Sequence, residues 1–536
     1  MRLAGAAAFA AIALAVLGVR VQGREGAPSA QTVAVAAAAE APAPAPAALA
    51  ARQNWGPFSV RLHRQLIPLH SDSGGIVHHK SAYYGQISVG GPQGQLFEVV
   101  FDTGSGHLVL PSLMCKSDTC RQHRRYKKRD SQFAQDIDVD GTPVSPWQAR
   151  DQITVSFGTG EVTGVFVRDR VCLGPPPIVA ELGEHLATQA ASLLQVDKAR
   201  VHEAGQSATP AEEDNGPEAV AGVAPVATAV PGNAPRHGCM DLRVITATQM
   251  TEDPFSSFSF DGVLGLGLSS LSQSPDFNFV SAAALAGAWT GRSPGHEHIF
   301  AVFLAVSEDE ESEITFGGWR SEHIQDGAEL AWCGVRDAQD GYWQLDVREI
   351  RVDGKKIDFC DDGSCRGIVD TGTSLLGVPS ALGPELIWLL HHAASLPDGS
   401  CGEPGPQLEI DLGNVTVVLD PSDYGRPELV DEAGSEEPPS PADGLFDVGQ
   451  SKGTPAADGE AFAADVGPGD GASGVRRSCV PMLMHIDLPE PLSPKTLILG
   501  EPVLQKYYAV FDGVAPRVGL ARAQHVRPRT PLLLAV

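Results

Sequence analysis

The sequence predicts a mainly β protein of two similar lobes, and three observations carry that prediction. Short apolar stretches punctuated by Gly and Pro recur along the chain, whereas sustained helical periodicity is scarce. The chain has 536 residues, more than one compact domain usually holds, and 43% of them are hydrophobic, enough for a large core. One local pattern also occurs twice: Val100-Phe101-Asp102-Thr103-Gly104-Ser105 runs into Leu108-Val109-Leu110-Pro111-Ser112, and Ile368-Val369-Asp370-Thr371-Gly372-Thr373 runs into Leu375-Leu376-Gly377-Val378-Pro379-Ser380. The two copies of strand, acidic turn and strand lie 268 residues apart. They imply equivalent turns of two lobes related by a pseudo-twofold axis, with a cleft between them.

Met1 to about Gly23 has one early positive charge, Arg2, an Ala/Leu/Ile/Val run and small residues near its end, the pattern of a secretory signal peptide. A membrane anchor is the alternative, against which the shortness of the run argues. Residues 24–75 read as an Ala/Pro-rich leader followed by a propeptide, whose alternating segment Phe58-Ser59-Val60-Arg61-Leu62-His63-Arg64 is strand-like. The first lobe is expected over 76–305. In it Ala82–Gly90 and Gln95–Phe101 are strands that deliver Asp102, and Gln152–Val167 is a hairpin around a Gly-Thr-Gly turn. Residues 175–238 break the pattern and read as an insertion. A strand at His298–Val306 leads into the second lobe, expected over 306–524 with strands at Glu313–Gly317 and Tyr342–Val352, a helix from Ser380 to about His392, and a second insertion over 425–478; 525–536 is a tail. The insertions hold eight acidic against three basic residues and eleven against four, so much of the net charge of −27 sits on appendages.

That charge argues against a nucleic-acid partner, because phosphate binding needs clustered Lys and Arg and the only dense basic run is His123–Arg129. The sixteen histidines show no ligand spacing, and no metal or other cofactor is expected. A single Asp-Thr-Gly is ordinarily an Asx turn or a helix cap. Two in matching frames suggest a shared site: if Asp102 and Asp370 come within hydrogen-bonding reach, both cannot ionise, and one proton is shared. The ionised partner can then take a proton from a water between them while the protonated one polarises a carbonyl, giving hydrolysis without metal or covalent intermediate.

On these residues the chain resembles the pepsin-like aspartic endopeptidases over roughly 58–524 apart from the insertions. Val263-Leu264-Gly265 and Ile498-Leu499-Gly500 are similar to the strands that cross behind each catalytic loop, and Glu313–Gly318 and Gly341–Gln344 fall where the family has nearly the same words. The resemblance implies a bilobal acid-protease fold, with Asp102 and Asp370 catalytic and Thr103, Gly104, Ser105, Thr371, Gly372 and Thr373 in support, Ser105 and Thr373 bonding the outer carboxylate oxygens. It makes Phe157, Gly158, Thr159 and Gly160 the flap over bound peptide, and Val100, Phe260, Val263 and Tyr342 subsite walls. It also implies disulfides Cys115–Cys120, Cys360–Cys365 and Cys401–Cys479; Cys172 and Cys239 would add a bridge at the base of the first insertion, leaving Cys333 free. Two positions depart from the family, Phe157 standing where it has Tyr and Val109 where it has the Trp that bonds that Tyr. The expected function is acid-pH hydrolysis of peptide or protein substrates with apolar side chains around the scissile bond, by a monomer in a secreted or lysosome/vacuole-like compartment, with no stable membrane span after signal cleavage and activation by cleavage between about Leu66 and Ser81. The alternative is a non-catalytic pepsin-fold binding or inhibitor protein.

Overall fold

The computed structural model describes residues 20–22, 57–70, 76–157, 160–173, 238–287, 298–307, 309–393, 396, 400–430 and 476–526. The signal peptide expected at 1–23 lies outside them except for Arg20–Gln22, a short strand against Gln152–Thr154. Also outside are leader residues 24–56, Gly158 and Thr159 of the flap, insertion residues 174–237 and 431–475, and the tail beyond 526.

The fold is mainly strand, and two sets of five strands repeat one topology. In the first, Gln95–Asp102 pairs antiparallel with Ile76–Val89 and parallel with Gly262–Gly265; the latter runs antiparallel to Leu108–Pro111, which is parallel to Cys239–Met250. In the second, Arg366–Val369 pairs antiparallel with Gln344–Asp346 and parallel with Thr496–Leu499; the latter runs antiparallel to Leu376–Pro379, which is parallel to Leu483–Ile486. Strands such as Leu108–Pro111, Gly262–Gly265 and Thr496–Leu499 are buried at every position. Continuous apolar runs suit strands covered on both faces. The sequence wrote these strands as unbroken apolar words for that reason.

A shared sheet joins the lobes. Ile299–Phe303 pairs with Ser312–Phe316 on one edge and with Tyr507–Asp512 on the other, and Arg517–Arg522 and Ala331–Gly334 extend it. The boundary expected at 305 therefore falls between two adjacent strands of this sheet. Phe58–His70 connects the sheet to the first lobe: Phe58–Leu62 pairs with Ser312–Phe316, and His63–His70 with Ile76–Tyr84. Its alternation works as alternation does in a half-buried strand, with Val60 and Leu62 inside and Arg61 and His63 outside. The segment expected to belong to a propeptide is thus built into the sheet that holds the lobes together.

Each insertion leaves the fold between paired strands. Gly160–Leu173 pairs with Cys239–Met250 along its length, and Leu173 N donates to Gly238 O at 2.9 Å. Gly425–Val430 pairs with Arg476–Pro481, so the second interruption, read as starting at 425, begins with a strand. Four disulfides are present, Cys115–Cys120, Cys172–Cys239, Cys360–Cys365 and Cys401–Cys479, and Cys333 is a buried free thiol. The expected C-terminal helix is shorter than its sequence signal, Gly383–Leu390, because Ser380 to Leu382 form the turn that enters it.

Candidate active site

Both Asp-Thr-Gly turns follow a buried strand, and both meet at the interface of the lobes. The turns grip each other through their threonines. Thr103 Oγ1 donates to Val369 O at 2.9 Å and accepts from Thr371 N at 3.0 Å; Thr371 Oγ1 donates to Phe101 O at 2.6 Å and accepts from Thr103 N at 3.0 Å. This reciprocity is what a local twofold axis requires. It also sets the distance between the carboxyl groups, because each glycine lies against the opposite aspartate: a Cβ on Gly104 would sit 2.9 Å from Asp370 Oδ1, and one on Gly372 would sit 2.4 Å from Asp102 Oδ1. Only a residue without a side chain fits either place.

Asp102 and Asp370 are both wholly buried. Burial raises both carboxyl groups above the usual carboxylate range, Asp102 well above it, and the charge of Asp370 adds to the effect on Asp102. Their donors differ. Asp102 Oδ1 accepts from Gly104 N at 2.9 Å; Asp370 Oδ1 accepts from Gly372 N at 2.9 Å, and Asp370 Oδ2 accepts from Thr373 Oγ1 at 2.5 Å. Ser105, expected at the outer oxygen of Asp102, is near enough for its hydroxyl to act against the rise of that carboxyl, though Ser105 Oγ and Asp102 Oδ2, both buried, make no hydrogen bond of ordinary geometry.

The crossing strands support both turns from behind. Leu266 N donates to Asp102 O at 2.7 Å, and Asp370 N donates to Leu499 O at 3.2 Å. Their terminal glycines are again matched. A Cβ on Gly265 would meet Ser105 O at 2.6 Å, and one on Gly500 would meet Thr373 O at 2.5 Å.

Of the expected wall residues, Val100, Phe157, Phe260 and Val263 come together in one apolar cluster of the first lobe that also holds Val109, Ile67 and Phe255. Tyr342 belongs to a separate cluster of the second lobe with Ile368, Met484 and Ile498; burial and then the charges of Asp370 and Asp102 push its phenol up, which places it within electrostatic reach of both. Phe157, 1% exposed, ends the strand Gln152–Phe157 opposite Gly160 and packs edge-on against Phe255, ring centroids 5.8 Å apart. Its ring and Val109 line a small cavity with Phe255, Phe258 and Phe260.

Several residues at the site carried no signal readable from spacing. Glu501, at the start of the helix Glu501–Lys506, is buried beneath the second catalytic loop: its N–H donates to Thr373 O at 2.9 Å, and its Oε1 accepts from Arg64 Nη2 and Tyr83 Oη, both at 2.8 Å. His107, five residues after Asp102, is buried against Phe277 and accepts from Gln273 N at 3.1 Å; burial pushes its imidazole down to about 4. The Gly-Glu-Pro after a fully apolar strand is the one local hint to Glu501, since an acidic residue there caps a helix N-terminus.

The chain matches the eukaryotic aspartyl protease family over residues 82–196 and 239–430. It is 28% identical over 448 residues to cathepsin E of Oryctolagus cuniculus, covering 82% of this chain and 80% of that protein. It is 28% identical over 453 residues to gastricsin of Cavia porcellus (83% and 80%), and 24% identical over 453 residues to plasmepsin VIII of Plasmodium berghei (84% and 88%). With its repeated five-strand topology and paired Asp-Thr-Gly turns, the chain belongs to the pepsin-like eukaryotic aspartyl proteases.

Proposed function

We propose that this protein is an aspartic endopeptidase in which Asp102 and Asp370 act as one acid–base unit. The observation that carries the reading is the reciprocal threonine grip with each glycine against the opposite carboxylate. Two carboxyl groups held so close and so dry share a proton. The donors favour the negative charge on Asp370, which has Thr373 and Gly372, and leave the proton to Asp102. A water between the carboxyl groups loses a proton to the anion as it attacks the substrate carbonyl, and the protonated partner donates to the carbonyl oxygen. Asp102 Oδ2 and Ser105 Oγ, buried and unbonded by protein, have the hydrogen-bonding capacity that water and the developing tetrahedral oxygen need.

The cluster of Val100, Phe157, Phe260 and Val263 favours apolar side chains next to the scissile bond, and Tyr342 completes the wall from the second lobe. The hairpin that ends in the pair Phe157 and Gly160 forms the flap over the peptide. Both catalytic turns come from one chain, so the enzyme acts as a monomer. Four disulfides fit an oxidising secretory compartment. No helix among the described residues is long and apolar enough to cross a membrane.

One observation favours a second reading, a pepsin-fold binding protein without activity: Val109 and Phe157 together remove the hydrogen bond that the family places under the flap. The two substitutions agree with each other, however, and neither leaves a buried group unpaired. A peptide-library cleavage assay across pH decides between the readings. The endopeptidase cleaves with a bell-shaped pH profile and is blocked by a statine-type transition-state mimic; absence of cleavage at every pH with a well-folded sample rejects it.

A further inference from the structure

The strand Phe58–His70 is held by more than its sheet. Beyond Leu62 it leaves Ser312–Phe316 and pairs with Ile76–Tyr84, so its outer half pairs with the first lobe alone. Gln65 ties that hairpin to the loop carrying Phe255, Phe258 and Phe260: its Nε2 donates to Ser257 O at 3.2 Å, and its Oε1 accepts from Ser259 N at 2.9 Å and Ser259 Oγ at 2.8 Å. Ile67, on the same face as Gln65, is buried in the cluster that contains Phe157 and Val100.

The other face of the strand turns to the second lobe. Arg64 donates to Glu501 Oε1 at 2.8 Å and to Ser81 Oγ at 2.9 Å, and Ser374, next to Thr373 in the second catalytic loop, donates to Ser81 O at 2.6 Å. One hairpin thus contacts the wall loop of the first lobe and the catalytic loop of the second. Leu66, two residues beyond Arg64 on that face, is 50% exposed. An aromatic row, His63, Tyr84, Phe260 and Phe258, with successive centroids 5.8, 6.0 and 4.7 Å apart, runs from the hairpin to the wall loop. An anchor of hydrogen bonds at Gln65 and a buried Ile67, flanking a large apolar side chain left half-exposed at Leu66, is the arrangement of a binding edge.

We propose that the hairpin stays on the active enzyme and forms the far wall of the cleft on one side of the scissile bond, where Leu66 contacts an apolar substrate side chain three or more residues from the bond cut. The inference rests on the endopeptidase reading. It makes the enzyme's extended specificity one-sided, since among the described residues a single such hairpin borders the cleft.

Two measurements test it. N-terminal sequencing of the purified active enzyme is expected to find a terminus before Phe58; a terminus beyond Ser81 overturns the proposal. The second compares a short peptide spanning only the scissile bond and its neighbours with longer peptides carrying Leu or Asp at successive flanking positions. Wild type is expected to favour Leu over Asp at one distal position on one side by about tenfold in kcat/KM, the range a single apolar contact gives. Leu66→Asp should abolish or reverse that preference and Leu66→Met should keep it, with thermal melts confirming that both fold. Cleavage of the short peptide with no distal preference, or with a preference that survives in Leu66→Asp, overturns this proposal and leaves the endopeptidase reading intact. Failure to cleave any peptide overturns both.

Discussion

Asp102 and Asp370 sit in matching turns yet are served unequally: Thr373 donates a short bond to Asp370 Oδ2, while Ser105 makes none of ordinary geometry to Asp102 Oδ2. Replacing either aspartate by Asn removes the shared proton without changing shape, and kcat should fall by on the order of 10²–10⁴-fold, measured on a peptide at acid pH with binding of the statine mimic as the folding control. Phe157→Tyr alone is expected to cost about 1–3 kcal/mol, because it buries a hydroxyl beside Val109, which has no partner to offer; denaturant unfolding reads the loss. At this scale the meeting of Asp102 and Asp370 was legible in sequence because Asp-Thr-Gly recurs in frame. Glu501 was illegible because its partner Arg64 lies 437 residues away, and nothing local marks a long-range ion pair.

Among the elements, the hairpin that begins at Phe58 depends on Glu501 for its footing. Burial raises the Glu501 carboxyl, and Arg64 acts against that shift. Arg64→Met should therefore raise it further. A carboxyl held above its unfolded value contributes stability that is complete below the unfolded pKa and lost as pH rises through the folded one. The variant should accordingly match wild type most closely in acid and melt earlier toward neutral pH, with a loss there of about 1–3 kcal/mol; melting curves across pH check this. The first insertion makes the opposite prediction. Leu173 and Gly238 are already hydrogen-bonded, and Cys172 and Cys239 have Cα atoms 4.0 Å apart. Replacing 174–237 with an Asn-Gly turn should keep the fold, with stability unchanged or raised by up to about 2 kcal/mol from the shorter loop; melting temperature and kcat/KM of the excised protein test it. Strand identity was legible here from apolar runs and alternation. That Phe58–His70 joins the two lobes was not, since a strand that stitches two lobes alternates like any other half-buried strand.

For the whole molecule, the site and the fold respond to pH together. Asp102, Asp370 and Glu501 all bind a proton more tightly folded than unfolded, each chiefly because of burial. Their stabilisation is full below about pH 4, the unfolded carboxyl range, and declines as pH rises through their raised folded values. A double variant, Asp102→Asn with Asp370→Asn, removes two of the three, so its melting temperature should fall less than wild type between about pH 4 and pH 7. Scanning calorimetry at several pH values is the check; equal slopes would remove the dyad as the source. The two-lobed plan was legible from the repeated turns. The shared sheet was not, because its strands come from both ends and the middle of the chain and no local pattern names their partners.

That sheet has a consequence for how the protein is made. Tyr507–Asp512 lies between Ile299–Phe303 and Arg517–Arg522, while Phe58–Leu62 borders Ser312–Phe316. The platform therefore needs strands that are far apart in the order of synthesis. Most of the first lobe can assemble during translation, but until Tyr507–Asp512 emerges the edge of Ile299–Phe303 stays open to foreign strands.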